Sequence, residues 1–376
     1  MHDMGGARPR ASTRRHIVVA AALLAVAAAS GIAWAVARNE PQSESLGALL
    51  DRVVAEGAPG ALVVVRDGDT TRAEARGLAD RTPPLPMTPD ARFRAGSITK
   101  TFVAALVLDL VQDGKLHLDD PVARWLPGLV PHGNAITVRQ LLRHTSGLPD
   151  YVDDPRVLRA PARRWRPEEL VALAAAQAPA TAPGERFAYA STNYVVLGLV
   201  AERAGGSPLA TLLGRRLFAP LQLRHTAYVP GAVPGRSVHG YRAPSHQGVV
   251  TGEPVETATA AWWAGGAGAV VSTAEDLQRF YAALLRGRVV GSRLLREMET
   301  LVPAGRNRYG LGIAVFPTPC GPAWGHTGNV QGTVAVAWNT RNALRQVVLA
   351  VNTYPLSPEL EAAVRRLQIA AFCGTA

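Results

Sequence analysis

The chain has 376 residues, 48% of them hydrophobic, enough for one large globular unit or two sub-domains. Its net charge of +11 is partly local, since Arg8, Arg10, Arg14 and Arg15 against Asp3 place +3 of it before residue 38. The rest is dispersed as single residues and pairs without the clustered basic stripe and interleaved aromatics of a nucleic-acid footprint, so no nucleic-acid partner is expected.

The first basic residues precede an uncharged apolar run of 21 residues, Ile17 to Ala37. Ala35-Val36-Ala37 has the small-x-small form of a signal-peptidase site, and the run is also long enough to span a bilayer. Residues 1–37 are therefore expected to be a signal peptide or a membrane anchor, and residues 38–45 a polar linker. Either way the folded part is expected outside the cytoplasm, secreted or anchored at the cell envelope.

Leu46 to Glu56 has helical spacing and stops at Gly57. Ala61 to Val65 reads as a buried strand, Asp67-Gly68 as a hairpin turn, and Thr70 to Arg76 as the returning strand. Thr82 to Pro86 reads as loop. Ser97 opens a helix that is apolar all round up to Asp113-Gly114, which places it in the core. Helical patterns follow at about 137–144, 167–177, 192–204 and 207–217. Thr273 to Leu285 returns as a helix. Strands are expected at Gly310 to Val315, Thr333 to Trp338 and Gln346 to Val351, the last two joined by a turn at Thr340-Arg341-Asn342. Pro358 to Phe372 closes as an amphipathic helix. The two ends are thus helix plus hairpin (about 46–95 and 265–374), and the middle is helical (about 96–264).

Cys320 and Cys373 both lie in the exported part, and an even count there reads as one disulfide. Two free buried thiols are the alternative. No H-E-x-x-H is present and the nine histidines are scattered, so no metal is expected. The absence of G-x-S-x-G argues against an α/β-hydrolase. Gly265-Gly266-Ala267-Gly268 lacks a strand–helix phosphate context and reads as a tight crossing near the site.

Only two of the 40 basic residues are lysine, Lys100 and Lys115. Lys100 stands three residues after Ser97, one helical turn away on the same face. Serine is a weak nucleophile until a base takes its proton. A lysine can be that base and an arginine cannot, which gives S-x-x-K its meaning. The bland alternative for Ser97 is a helix N-cap. Tyr189, in Phe187-Ala188-Tyr189-Ala190-Ser191-Thr192-Asn193-Tyr194, stands at a loop-to-helix entry where a hydroxyl can relay a proton. His326 lies among small residues in Gly325-His326-Thr327-Gly328-Asn329-Val330-Gln331-Gly332, which lets a substrate backbone approach closely.

These three elements in this order resemble the serine β-lactamase and penicillin-recognising hydrolase superfamily. The strings Ile136 to Leu148 and Ser272 to Leu277 are similar to it as well, so the resemblance covers nearly all of residues 46–374. His-x-Gly in the third element and the late cysteine pair are most similar to secreted Streptomyces-type D-alanyl-D-alanine carboxypeptidases. The resemblance implies an α+β, β-lactamase/transpeptidase-like fold: an antiparallel sheet flanked by helices, plus an all-α sub-domain. It implies Ser97 as nucleophile, Lys100 as its base and Tyr189 as general acid/base. His326, Thr327, Gly328 and Asn329 would line the substrate wall, with Ser191 and Trp262 as further substrate contacts, and no cofactor is implied. The backbone N–H groups of Ser97 and Asn329 would form the oxyanion hole. Expected partners are a peptidoglycan stem peptide or a small ester or amide, and β-lactams as covalent inhibitors.

Three positions depart from that pattern. Ser191 stands where the family has the asparagine of Tyr-x-Asn. Ala314 stands where the carboxypeptidases place an arginine for the substrate carboxylate. Asn329 replaces the hydroxyl residue after His-Thr-Gly. Losing an arginine–carboxylate pair removes the strongest anchor for a free C-terminus. An esterase or amidase, or a β-lactamase-like hydrolase, of the same fold is therefore the alternative to a carboxypeptidase.

Overall fold

The computed structural model describes residues 44–242, 245–246, 249–250, 255–256, 260–330 and 332–374. The segment read as signal or anchor, most of the linker, and Gln331 lie outside the described residues. Helix α1 (Leu46–Ala55) begins where the Ser45 hydroxyl accepts the Ala48 N–H at 3.2 Å, satisfying one of the first free donors of the helix. It stops before Gly57, whose φ of +105° suits glycine alone. Strands β1 (Gly60–Asp67) and β2 (Thr70–Arg81) form the hairpin around Asp67-Gly68. β2 continues past Arg76, because beyond Gly77 it pairs with β3 (Pro84–Pro86), a segment the sequence marks as loop. Prolines lack the N–H that an inner strand donates, so β3 sits at the sheet edge.

Helix α2 (Thr99–Gln112) is buried from Thr99 through Leu108, as an all-round apolar helix must be. Helix α3 (Thr192–Gly205) packs beside it, and α4 (Ala274–Leu285) starts at a Thr273 cap and lies on the sheet. Strands β4 (Val302–Ala304), β5 (Asn307–Tyr309), β6 (Ala314–Phe316), β7 (Ala323–Val330), β8 (Thr333–Asn339) and β9 (Arg345–Val351) complete an antiparallel sheet in the order β4-β5-β6-β7-β8-β9-β1-β2-β3. β9 pairs with β1 from Ala61 opposite Val351 to Asp67 opposite Arg345, so the two ends of the chain share one sheet. Helix α5 (Pro358–Cys373) covers it beside α1, and Cys373 at its end is joined by a disulfide to Cys320.

Strand alternation divides the buried side chains between two cores. Leu62 and Val64 face the large helical side together with Ala335, Ala337, Val348 and Ala350. Ala61, Val63 and Val65 face α1 and α5 together with Val336, Val347 and Leu349. The result is an α+β fold, an antiparallel sheet flanked by helices and joined to a helical part.

Two expectations are corrected. Gly310 to Ile313 is a turn, not the start of a strand. Gly312 has φ +81°, and a Cβ there would lie 2.2 Å from the Ala104 Cβ of α2, so the chain bends to pass the helix. The middle segment is also not helical throughout. Ala227–Tyr228 pairs with Val270–Ser272, which pairs in turn with Phe93–Arg94. The buried Arg94 guanidinium fixes that arrangement by donating to the carbonyls of Val229 and Gly231 at 2.9 and 2.6 Å.

Candidate active site

Ser97 lies in a 3-10 turn, Gly96–Ile98, that leads into α2. The N-cap positions of this turn and of α2 are Ala95 and Ile98, so Ser97 is not an N-cap. Lys100 follows one turn later, fully buried, and its Nζ donates to Ser97 Oγ at 2.8 Å and to the Ala267 carbonyl at 3.0 Å. That carbonyl belongs to the Gly265–Gly268 turn, which packs on α3 and on the 3-10 turn that holds the serine. The Tyr189 ring stands over the same ammonium, 5.0 Å from Nζ to ring centroid, and is 42% exposed. Ser97, Lys100 and Tyr189 thus meet in one cleft of about 1320 Å³.

β7 forms the opposite wall. It presses against the serine turn so closely that a Cβ on Gly328 would lie 1.9 Å from the Ala95 carbonyl and 3.1 Å from the Ser97 nitrogen. A Cβ on Gly96 would lie 2.9 Å from the Asn329 nitrogen. Glycine at both positions lets the two backbones pack directly, with the Asn329 nitrogen against Gly96 and the Ser97 nitrogen against Gly328. Thr327 and Asn329 line the cleft, as does Ala314 at the neighbouring strand.

His326 is buried in this wall. Its Nδ1 lies 2.5 Å from the Thr327 carbonyl, which can only accept, so Nδ1 carries the hydrogen. The Tyr309 hydroxyl, 3.1 Å from Nε2, is then the donor to it. Burial, with the Lys100 charge second, pushes the imidazole pKa down to about 3. His326 is therefore a neutral ring with both nitrogens engaged, and it offers a substrate no positive charge.

Ser191 also lines the cleft. Its backbone N–H donates to Asp150 Oδ2 at 2.9 Å, and Asp150 itself lines the cleft. Burial raises the Asp150 pKa from its ordinary value. Asn193 does not take over from the missing asparagine. It is fully buried and bonded to Ser146 and His144. Trp262 is also corrected: its ring packs on the Arg164 guanidinium at 4.9 Å, and Trp263 lines the cleft instead. Adjacent side chains of that turn diverge. Asp150, which lines the cleft, and His144, which is fully buried against the Tyr189 ring, were not singled out in the sequence. Both belong to the loop around His144-Thr145-Ser146-Gly147-Leu148, whose only signal was its likeness to the family string. Among the described residues no three His, Cys, Asp or Glu side chains converge as a metal site.

This arrangement can perform acyl transfer: a serine, an adjacent buried amine and a neighbouring phenol beside a close backbone crossing. The profile of the family described as Beta-lactamase matches residues 46–371. A D-stereospecific amidohydrolase from Streptomyces sp. superposes with a TM-score of 0.78 at 34% identity, covering 89% of this chain and 100% of that one. Esterase EstB of Burkholderia gladioli is 36% identical over 204 residues, 50% of this chain and 50% of the relative. A penicillin-binding protein of Bacillus subtilis (strain 168) is 31% identical over 242 residues, 60% of this chain and 52% of the relative. The chain thus spans about half the length of these two curated relatives. This chain belongs to the beta-lactamase family.

Proposed function

We propose that Ser97 is acylated by small amides whose acyl part carries a free amino group, so that the enzyme works as an amidase or aminopeptidase and not as a D-alanyl-D-alanine carboxypeptidase. One observation carries this reading: the charge of the substrate wall. The carboxylates of Asp150 and Asp153 stand in the cleft, His326 is neutral, Ala314 supplies no cation, and the buried Lys100 amine is engaged by Ser97 Oγ and the Ala267 carbonyl. The arginines that line the cleft, Arg159 and Arg242, are exposed. Such a wall attracts an ammonium group more than a terminal carboxylate. The D-stereospecific amidohydrolase supports a D-configured acyl part.

In this reading the Lys100–Tyr189 pair, one of whose two groups is deprotonated in the reactive state, takes the Ser97 proton as Oγ attacks the carbonyl carbon. The N–H groups of Ser97 and Asn329 hold the oxyanion. The proton then passes to the leaving amine, the C–N bond breaks, and water hydrolyses the acyl-enzyme by the same route in reverse. Neutral esters should enter too, since an alcohol leaves with less help from the acid, and the esterase relative supports that. β-Lactams belong to the proposal as covalent inhibitors, supported by the penicillin-binding relative. A site outside the cytoplasm also belongs to it, supported by the Cys320–Cys373 disulfide.

The test compares D-phenylalanine amide, its N-acetyl form and an acyl-D-Ala-D-Ala peptide. The free-amino amide should lead its N-acetyl form by about 10- to 100-fold in kcat/KM, the scale of a hydrogen bond to a charged group. Asp150→Asn should erase that preference. Release of D-alanine from the peptide faster than ammonia from the amide would restore the carboxypeptidase reading.

A further inference from the structure

We infer that His144 is the positioning residue for Tyr189. The inference rests on the acyl-transfer reading above, in which the Tyr189 hydroxyl carries the proton. The His144 carbonyl accepts the Ala188 N–H at 2.8 Å, and its Nδ1 accepts the Ala190 N–H at 3.3 Å. One residue therefore grips the backbone on both sides of Tyr189. Its ring also lies against the Tyr189 ring, 4.3 Å between centroids with 30° between planes. Three contacts from a single side chain and its carbonyl thus leave the tyrosine little freedom to shift or turn.

The imidazole is itself held in one state. The Asn193 amide is oriented by Ser146, whose hydroxyl donates to Asn193 Oδ1 at 2.5 Å. Its Nδ2 therefore faces His144 Nδ1, 3.0 Å away, as a donor. With Ala190 N–H and Asn193 Nδ2 both directed at Nδ1, the ring hydrogen sits on Nε2. Nε2 is fully buried and has no hydrogen-bond partner. A histidine kept only to satisfy a polar core would use both nitrogens. Here one nitrogen and the ring are used: Nδ1 takes the Ala190 N–H as well as the Asn193 amide, and of the aromatic rings around the imidazole that of Tyr189 lies nearest, at 4.3 Å against 5.0 Å for Tyr309 and 5.2 Å for Tyr194. His144 also holds φ at +58°, a left-handed conformation that residues with a Cβ avoid and that persists where the surroundings demand it. Burial keeps the ring uncharged beside Lys100, so it places the tyrosine without adding a second cation.

Two variants of the full chain separate the contacts. His144→Phe keeps a ring and removes the acceptor. His144→Asn keeps an acceptor, tolerates the left-handed backbone and removes the ring. On a p-nitrophenyl ester each should lower kcat about 10- to 100-fold with KM within about threefold, because a misplaced proton carrier is felt in the chemical step. In a Tyr189→Phe background the same substitutions should change kcat by less than about threefold, since His144 acts through a hydroxyl that is already gone. Full additivity of the two losses overturns the inference and leaves His144 a folding residue. Wild-type kcat in both single variants overturns it as well. A Tyr189→Phe enzyme with wild-type kcat rejects the acyl-transfer reading itself, and this inference with it. Should His144→Phe fail to fold, the cycle with His144→Asn decides alone.

Discussion

Lys100 Nζ donates to Ser97 Oγ at 2.8 Å from a position that solvent does not reach. Its other contact is the Ala267 carbonyl, and among the described residues no carboxylate forms an ion pair with it. Neutral oxygens surround the amine, so it is held against the serine instead of serving as one half of a salt bridge. The geometry explains why lysine stands here in a chain that uses arginine almost everywhere else.

Lys100→Met should therefore remove chemistry and keep the packing. The methionine fills similar volume at a fully buried site. We expect kcat/KM on a p-nitrophenyl ester to fall about 10³-fold, roughly 4 kcal/mol in barrier, with the melting temperature little changed. Retention of more than about a tenth of wild-type kcat/KM would show that another group takes the serine proton.

The crossing of β7 over the serine turn gives a second prediction. At Gly328 an added Cβ would meet the Ala95 carbonyl at 1.9 Å, a backbone atom that cannot rotate away. Gly328→Ala should cost about 1–3 kcal/mol of stability by overpacking and should slow labelling of Ser97 by a fluorophosphonate, because the two oxyanion N–H groups separate. An unchanged melting temperature and an unchanged labelling rate would mean that the crossing is looser than this.

The neutral state of His326 predicts a pH dependence of stability. Its folded pKa of about 3 lies below the ordinary 6.5. Between those values the unfolded chain binds a proton that the folded chain does not. The stabilisation is complete above pH 6.5 and is lost as pH falls through that window, at up to about 1.4 kcal/mol per pH unit. Buried His144 shifts in the same direction and adds to the loss. In thermal melts between pH 7 and 5, His326→Gln should show a shallower decline than wild type. Parallel declines would contradict the neutral assignment.

The parts of the site legible in the sequence were those with local signals. Ser97 and Lys100 are one helical turn apart, Tyr189 enters a helix, and His326 lies between glycines on a strand. Asp150 and His144 were not legible, because their roles arise only after distant segments meet. Asp150 reaches the N–H of Ser191, and His144 reaches those of Ala188 and Ala190. The fold shows the same division. α1, β1 and the β8–β9 hairpin follow from periodicity and turn residues. β3 exists only because β2 outlasts its pairing with β1, and the turn at Gly310–Ile313 exists because α2 occupies the straight path. Whether Trp262 or Trp263 faces the cleft is decided by the geometry of one turn, which two adjacent tryptophans cannot reveal in sequence.

The most direct test of the account is the intact mass of wild type and Ser97→Ala after incubation with a fluorophosphonate, followed by peptide mapping. The account predicts one phosphonyl group on wild type, mapped to Ser97, and none on the variant. Equal labelling of both proteins, or hydrolysis of a p-nitrophenyl ester by Ser97→Ala at the wild-type rate, would contradict it.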